Sequence, residues 1–288
     1  MPISQPRDEH GADLREARRG AGTRACSVGT HADASTPNGC RDESRHGRHE
    51  CLRHIGLMRI LIVAADPMEF PGILRHAAGV SPAYLALDWS RSARLGDHEL
   101  VLAANGAGAQ RAASAVEAAL ERFPAEAIVS TGFCGALAPE LEIADVVVGS
   151  AISAGSRTFP ALYPASTRPH QMGVVCSIDH VAQTAEEKRR LRAGGGSVVE
   201  MEAGGVAERA AARGVPFYCV RVVTDLADED MANNFNRALR PDGHFATMSV
   251  LRGALRNPLV RLPELLRLRN RCVRAARVLG DFFADCRF

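Results

Sequence analysis

The sequence predicts an α/β fold: a single domain with a central mixed, twisted β-sheet flanked by helices. Three observations carry this. The run "MRILIVAA" opens at Met58 as a short continuous apolar stretch, the pattern of a strand buried on both faces. Further apolar runs alternate with helical stretches, a βαβ rhythm. Hydrophobic residues make up 46% of the 288, enough for a sizeable core.

Each element follows in order. The candidate strands after the first are 98–106 ("HELVLAANG"), 125–132 ("AEAIVSTG"), 144–152 ("ADVVVGSAI"), 172–178 ("MGVVCSI"), 197–202 ("SVVEME") and 216–225 ("PFYCVRVVTD"). Helices are expected at 107–122, where Ala112, Val116, Ala119 and Leu120 share a face, at 181–193, and at 203–213. From about 258 the chain reads as a basic C-terminal helix. Leu265, Leu268, Cys272, Ala275, Leu279 and Phe282 recur at helical spacing, and Arg267, Arg271, Arg274 and Arg277 lie on other faces. Residues 251–288 carry an excess of six positive charges. A docked terminal helix is the plain reading, and weak contact with an anionic membrane surface or an anionic substrate is the functional one. Residues 1–57 are rich in Arg, His, Gly, Ser and acids and show no period. They are expected to be a disordered N-terminal extension, or the product of a start placed too early, leaving 58–288 as the domain.

Composition excludes several classes. A net charge of +2 and few aromatics argue against a nucleic-acid partner. None of the eight cysteines forms a CxxC pair, so no metal is expected, and several sit in apolar runs as small buried thiols. No apolar stretch reaches membrane-span length and the N-terminus has no secretory pattern, so a cytoplasmic protein is expected.

In α/β sheets ligands bind beyond the carboxyl ends of the strands. There the sequence places Asp66 and Glu69, then "NGAG" (105–108), "TGFCG" (131–135), Glu200, Met201 and Glu202, and finally Thr224 and Asp225. The glycine pairs are not a Walker A loop or a full GxGxxG and read equally well as plain turns. Glu69, Glu202 and Asp225 each end an apolar strand. A lone acid there is a cap or a solvated charge. Three acids converging at one sheet edge would raise one another's proton affinity and divide into acid and base roles.

From about Met58 to Phe235 the chain resembles the purine nucleoside phosphorylase/uridine phosphorylase superfamily. Within it the chain most resembles the 5′-methylthioadenosine/S-adenosylhomocysteine nucleosidase branch. "MRILIVAADPMEFPGIL" looks like the first strand and loop of that branch, "NGAGAQRAA" like its "sGiGk-aA" turn, and "STGFCGALAPELEIADVVV" like its "nTGsAGgl" segment. "VVEMEAGGVAERAAARGVPFYCVRVVTDLAD" is similar to its "vEMEaaaia…vPf-viRaiSD-AD" block, with the spacing from Glu202 to Asp225 kept. The tail "NFNRALRPDGHF" resembles hopanoid-associated members, which release adenine from adenosylhopane.

The resemblance implies the nucleoside phosphorylase fold, no cofactor and no metal, and a homodimer. It implies hydrolysis of the N-glycosidic bond of an adenine nucleoside with a modified 5′ position. Asp225 would protonate the base, Glu202 would bind the ribosyl hydroxyls and Glu69 would activate water. Met201, Glu200, Thr224, Phe133, Gly132 and Val181 would line the substrate, with Glu200 behind Glu202 and Val181 where the branch carries an aromatic. Phe133 and Ala144 depart from the family's small Ser and Gly. Phosphorylases of this kind hold phosphate with arginines near the first loop and before the glycine turn. "AADPMEFPG" and "IVSTG" contain none, which favours water over phosphate. The alternatives are a phosphate-dependent purine nucleoside phosphorylase and a non-catalytic nucleoside-binding or sensor module.

Overall fold

A computed structural model describes residues 57–288. The extension expected over residues 1–57 lies, apart from Leu57, outside the described residues. The elements in chain order are β1 (Arg59–Ala64), a 3₁₀ turn (Pro67–Glu69), α1 (Pro71–His76), β2 (Ala78–Pro82), β3 (Trp89–Leu95), β4 (His98–Ala104) and α2 (Ala109–Leu120). There follow β5 (Ala127–Ala136), β6 (Val146–Ala154), β7 (Arg157–Pro160), β8 (Gln171–Ser177), α3 (Ala185–Ala193) and β9 (Val198–Glu200). Last come α4 (Ala203–Arg213), β10 (Phe217–Asp225), α5 (Thr247–Ala254) and α6 (Pro258–Asp285).

The sheet is mixed. Its strands run β10-β6-β8-β9-β5-β1-β4-β3-β2, with β7 hydrogen-bonded to β6. A further β10–β5 pairing closes part of this path into a ring. The ten-residue β5 is the hub, because it pairs with β1 and β10 in parallel and with β9 antiparallel. The carboxyl ends of β1, β5 and β10 therefore lie together.

Burial on both faces follows from the apolar runs. Leu61 and Val63 of β1 pack with Val116 of α2 and Val206 of α4, while Ile60 and Ile62 pack on the other side with Leu279, Phe282 and Phe283 of α6. Burying each such side chain contributes roughly 1.5–3 kcal/mol. Helices α1 and α6 cross so closely at Gly72 and Gly280 that a Cβ at either position would enter the other's backbone.

The apolar strands lie where periodicity puts them, within a few residues. Helix α3 begins at Ala185 rather than 181, because the Thr184 hydroxyl caps it by accepting from the Glu187 amide at 3.2 Å. The strand expected to end at Glu202 ends at Glu200, so Glu202 is the residue that opens α4. Strands β2, β3 and β7 and helices α1 and α5 were not expected from the sequence. Strand β2 is exposed throughout and β3 is only partly buried, so neither carries the apolar signal. Among the described residues no helix is long and apolar enough to cross a membrane.

Candidate active site

The loops after β1, β5, β9 and β10 bring the predicted acids into two groups. The first group surrounds Arg221, in the middle of β10 and fully buried. Its guanidinium donates to the Thr131 carbonyl (2.7 Å) and the Ser130 hydroxyl (2.5 Å), pairs with Glu200 at 2.5 Å, and lies 3.7 Å from Glu202.

Glu69 is held by the turn that follows β1. Asp66 caps that turn, and the backbone amides of Ala65 and Asp66 each donate to Glu69 Oε2 at 2.9 Å. The Phe133 amide donates to Oε1 at 2.7 Å. This third bond needs Gly132, whose φ of +127° and contact with the Glu69 carboxylate leave no room for a Cβ. Burial pushes the Glu69 carboxyl above its ordinary value, against the pull of those amides and of Arg221.

Glu200 and Glu202, two residues apart, do different work. Glu200 Oε2 accepts from the amides of Glu202 (2.9 Å) and Ala203 (2.8 Å), so it caps the start of α4 while neutralising Arg221. Glu202 turns the other way and accepts from the Gly108 amide at 3.0 Å, at the mouth of α2. Burial, and then the Glu200 charge, push Glu202 up to about 8, against the attraction of Arg221. Burial works against the charge of Arg221, but Glu200, Glu202 and Glu69 hold its proton above the usual guanidinium range.

The second group surrounds Asp225 at the end of β10. Lys188 of α3 donates to Asp225 Oδ2 at 2.6 Å, and the Thr224 hydroxyl lies 3.3 Å from Oδ1. Gly135 faces the same carboxylate, and a Cβ there would stand 2.7 Å from Oδ2. Burial raises the Asp225 carboxyl above its ordinary value, opposed by Lys188 and Thr224. Glu229, just beyond, is pulled down to about 2 by its bidentate pairing with Arg271 of α6 at 2.6 and 2.8 Å.

A cavity of about 750 Å³ opens beside the first group, walled by Ala107–Arg111, Ser177–His180, Met201, Gly204–Gly205 and the segment Leu239–Pro241. Gly243 ties that segment down by accepting from the Ala107 amide at 2.7 Å. Of the residues predicted from sequence, Met201 stands in the cavity wall, and Glu202 reaches it through the shared wall residue Gly108. Asp225 instead opens on a separate narrow recess of about 30 Å³ against α6. Phe133 is half-buried, with its ring against the α6 side of the core. Thr224 is buried and donates to the Cys134 carbonyl at 3.3 Å. Val181 stands one residue past the Ser177–His180 wall, its backbone bracketed by Asn236 at 2.8 and 2.9 Å.

Sequence reading missed Arg221 and Lys188. For Arg221 the signal was a lone charge inside "YCVRVV", because a charge in an apolar run must find buried partners. Among the described residues no group of three or more His, Cys, Asp or Glu is placed to hold a metal ion.

The sequence model of a family described as the phosphorylase superfamily matches residues 59–171 and 165–243. A 5′-methylthioadenosine/S-adenosylhomocysteine nucleosidase of Mycobacterium bovis is 27% identical over 231 residues, covering 61% of this chain and 89% of the relative. The Oceanobacillus iheyensis protein of the same name is 25% identical over 223 residues, 67% of this chain and 97% of that one. Among solved structures, an S-adenosylhomocysteine nucleosidase of Streptococcus pyogenes superposes with a TM-score of 0.60 at 20% identity, over 80% of this chain and 97% of that one. The futalosine hydrolase of Helicobacter pylori superposes with a TM-score of 0.59 at 17% identity, over 80% and 97%.

Proposed function

The chain belongs to the phosphorylase superfamily, and from that premise we propose that it is a nucleosidase that releases the free base of a purine nucleoside by hydrolysis. In this reading the substrate is an adenine nucleoside with a modified 5′ position. The curated relatives' names support an N-ribosyl hydrolase. The observation that carries the hydrolytic reading is the charge balance around Arg221, where one buried guanidinium faces three carboxylates.

Such a site gains when its ligand becomes positive. Cleavage of an N-glycosidic bond does this, because the ribose passes through an oxocarbenium-like state as the base departs. Asp225 donates a proton to the base nitrogen N7, and the C1′–N9 electron pair goes into the neutral purine. Glu202 accepts hydrogen bonds from the ribosyl hydroxyls beside Met201. Glu69 takes a proton from the water whose oxygen bonds to C1′. Arg221 is already held by Ser130, Thr131 and Glu200, so it is not free to receive phosphate.

The deciding assay supplies methylthioadenosine, S-adenosylhomocysteine, adenosine and inosine, with and without phosphate, and follows base release. Release of adenine without phosphate is expected. Strict phosphate dependence would make the protein a phosphorylase, and binding without release would make it a sensor.

Two further readings concern partners. The homodimer implied by the resemblance is checked by light scattering of the purified protein. Leu259, Leu266 and Val273 recur every seven residues on the exposed side of α6, with Arg267, Arg269 and Arg274 also exposed. That pattern supports weak contact with an anionic lipid surface. Sedimentation with phosphatidylglycerol vesicles, absent with phosphatidylcholine alone, is the expected result.

A further inference from the structure

The chain contains 34 arginines and a single lysine, Lys188. That lysine is fully buried. Its position in "EEKRRLRA" suggests a solvated charged face, yet its ammonium points inward from the first turn of α3. It donates to Asp225 Oδ2 and the Leu226 carbonyl at 2.6 Å each, and to the Glu229 carbonyl at 3.4 Å. An ammonium has three donors, and all three are used.

Three oxygens converging on one nitrogen suit a compact ammonium and not a planar guanidinium fork. This explains why a chain that meets its other basic needs with arginine keeps lysine here. The receiving loop is fixed from behind, because Arg271 of α6 clamps Glu229 and the Leu226 amide donates to Glu229 Oε2 at 3.1 Å.

We propose that Lys188 is a positioning residue for base release: its ammonium holds Oδ2 of Asp225, leaves Oδ1 to carry the transferred proton, and stabilises the carboxylate formed when that proton leaves. This rests on the nucleosidase reading. The proton moves from Asp225 to N7 of the base, the C1′–N9 bond breaks, and the negative charge left on Asp225 meets the ammonium already in contact with it. Without Lys188, only the Thr224 hydroxyl would still oppose burial and the Glu229 charge, and the carboxyl would become too reluctant an acid. The other charged or titratable groups that bear on Asp225 are Glu229 from the loop, Arg271 and Cys272 from α6, and Cys134 from β5.

The test pairs kinetics with a spectroscopic readout. In Lys188→Gln, which keeps a donor and removes the charge, kcat falls about tenfold or more. The alkaline limb of its pH profile moves to higher pH, because the ammonium no longer opposes burial. Lys188→Arg, which restores charge without the fit, keeps the limb near its wild-type position. A limb that stays put or moves to lower pH in Lys188→Gln overturns the proposal, since mere loosening would hydrate Asp225 and lower its proton affinity.

The lone lysine also gives a single side-chain signal in protein labelled with ¹⁵N-lysine. That signal is expected to shift with pH as Asp225 titrates and to lose the response in Asp225→Asn. A signal indifferent to Asp225→Asn overturns the pairing even if Lys188→Gln fails to fold. If the wild type releases no base while the signal still follows Asp225, the nucleosidase reading has failed and the pairing has not.

Discussion

Arg221 and Lys188 are both fully buried cations, and they differ in what they balance. Arg221 faces Glu69, Glu200 and Glu202, so negative charge exceeds positive. Lys188 faces one carboxylate and two carbonyls, so its charge is matched. Beside Arg221, burial and then the Glu200 charge push Glu202 up to about 8. The matched pair instead holds Asp225 between burial, which favours the acid, and the ammonium, which favours the carboxylate. In the nucleosidase reading proposed above, the first arrangement favours positive charge on a ligand and the second gives a proton away.

Mutations break this comparison in graded ways. Arg221→Met has the largest expected effect, because it leaves buried carboxylates with no counter-charge. Loss of one partner of a buried pair costs about 3–5 kcal/mol, read as a lowered urea midpoint. Retention of the wild-type midpoint would show that the carboxylates share protons well enough without it. Asp225→Asn is the opposite case. Base release should fall by about 10²–10⁴-fold, and the melting temperature should fall as well because the buried Lys188 ammonium loses its counter-charge; activity within about tenfold of wild type would remove Asp225 from the acid role. Glu69→Gln should slow turnover by about 10²-fold or more, at the low end of that range, with KM little changed, if Glu69 handles water rather than substrate as proposed. A rise in KM alone would argue that it binds the nucleoside.

The smallest effect sharpens the electrostatics. Glu202 has a folded pKa of about 8 against an ordinary value of 4.5, so between those limits the folded state holds a proton the unfolded chain lacks. Its contribution to stability is full below about pH 4.5 and is lost as pH rises through about 8. Glu69 and Asp225, also raised, tilt stability the same way. Glu202→Gln should flatten the decline of melting temperature over this range, and an unchanged slope would mean that Glu202 is ionised in the folded protein.

The sequence made the acids visible and left their cations hidden. Glu69, Glu202 and Asp225 could be picked out because they end or closely follow apolar runs, and β1, β9 and β10 have the apolar content to reveal where those runs stop. Glu200 and Glu202 looked alike in sequence, and only the turn into α4 sends one toward Arg221 and the other toward Gly108. Lys188 was illegible for a physical reason: its four neighbours in "EEKRR" are charged, and its partner lies 37 residues away. A faint signal existed, since Ala185 and Leu191 sit three residues to either side on the same helical face. Strand β3 escaped because its buried positions include Ser90, although "LGDH" marks a turn between it and β4.

The ring closure through β5 also bears on how the site comes into being. The last strand in the chain, β10, carries both Arg221 and Asp225, and it docks on β5 across a sequence gap of 89 residues between Thr131 and Val220. Pairings of such long range must meet a large loop-closure cost before they return any stabilisation, so they form slowly. A growing chain would thus finish most of the sheet with three uncompensated carboxylate positions and no acid. The chemistry would switch on in a single late event, when β10 arrives. Recovery of activity after dilution from denaturant should therefore lag behind recovery of helical circular dichroism.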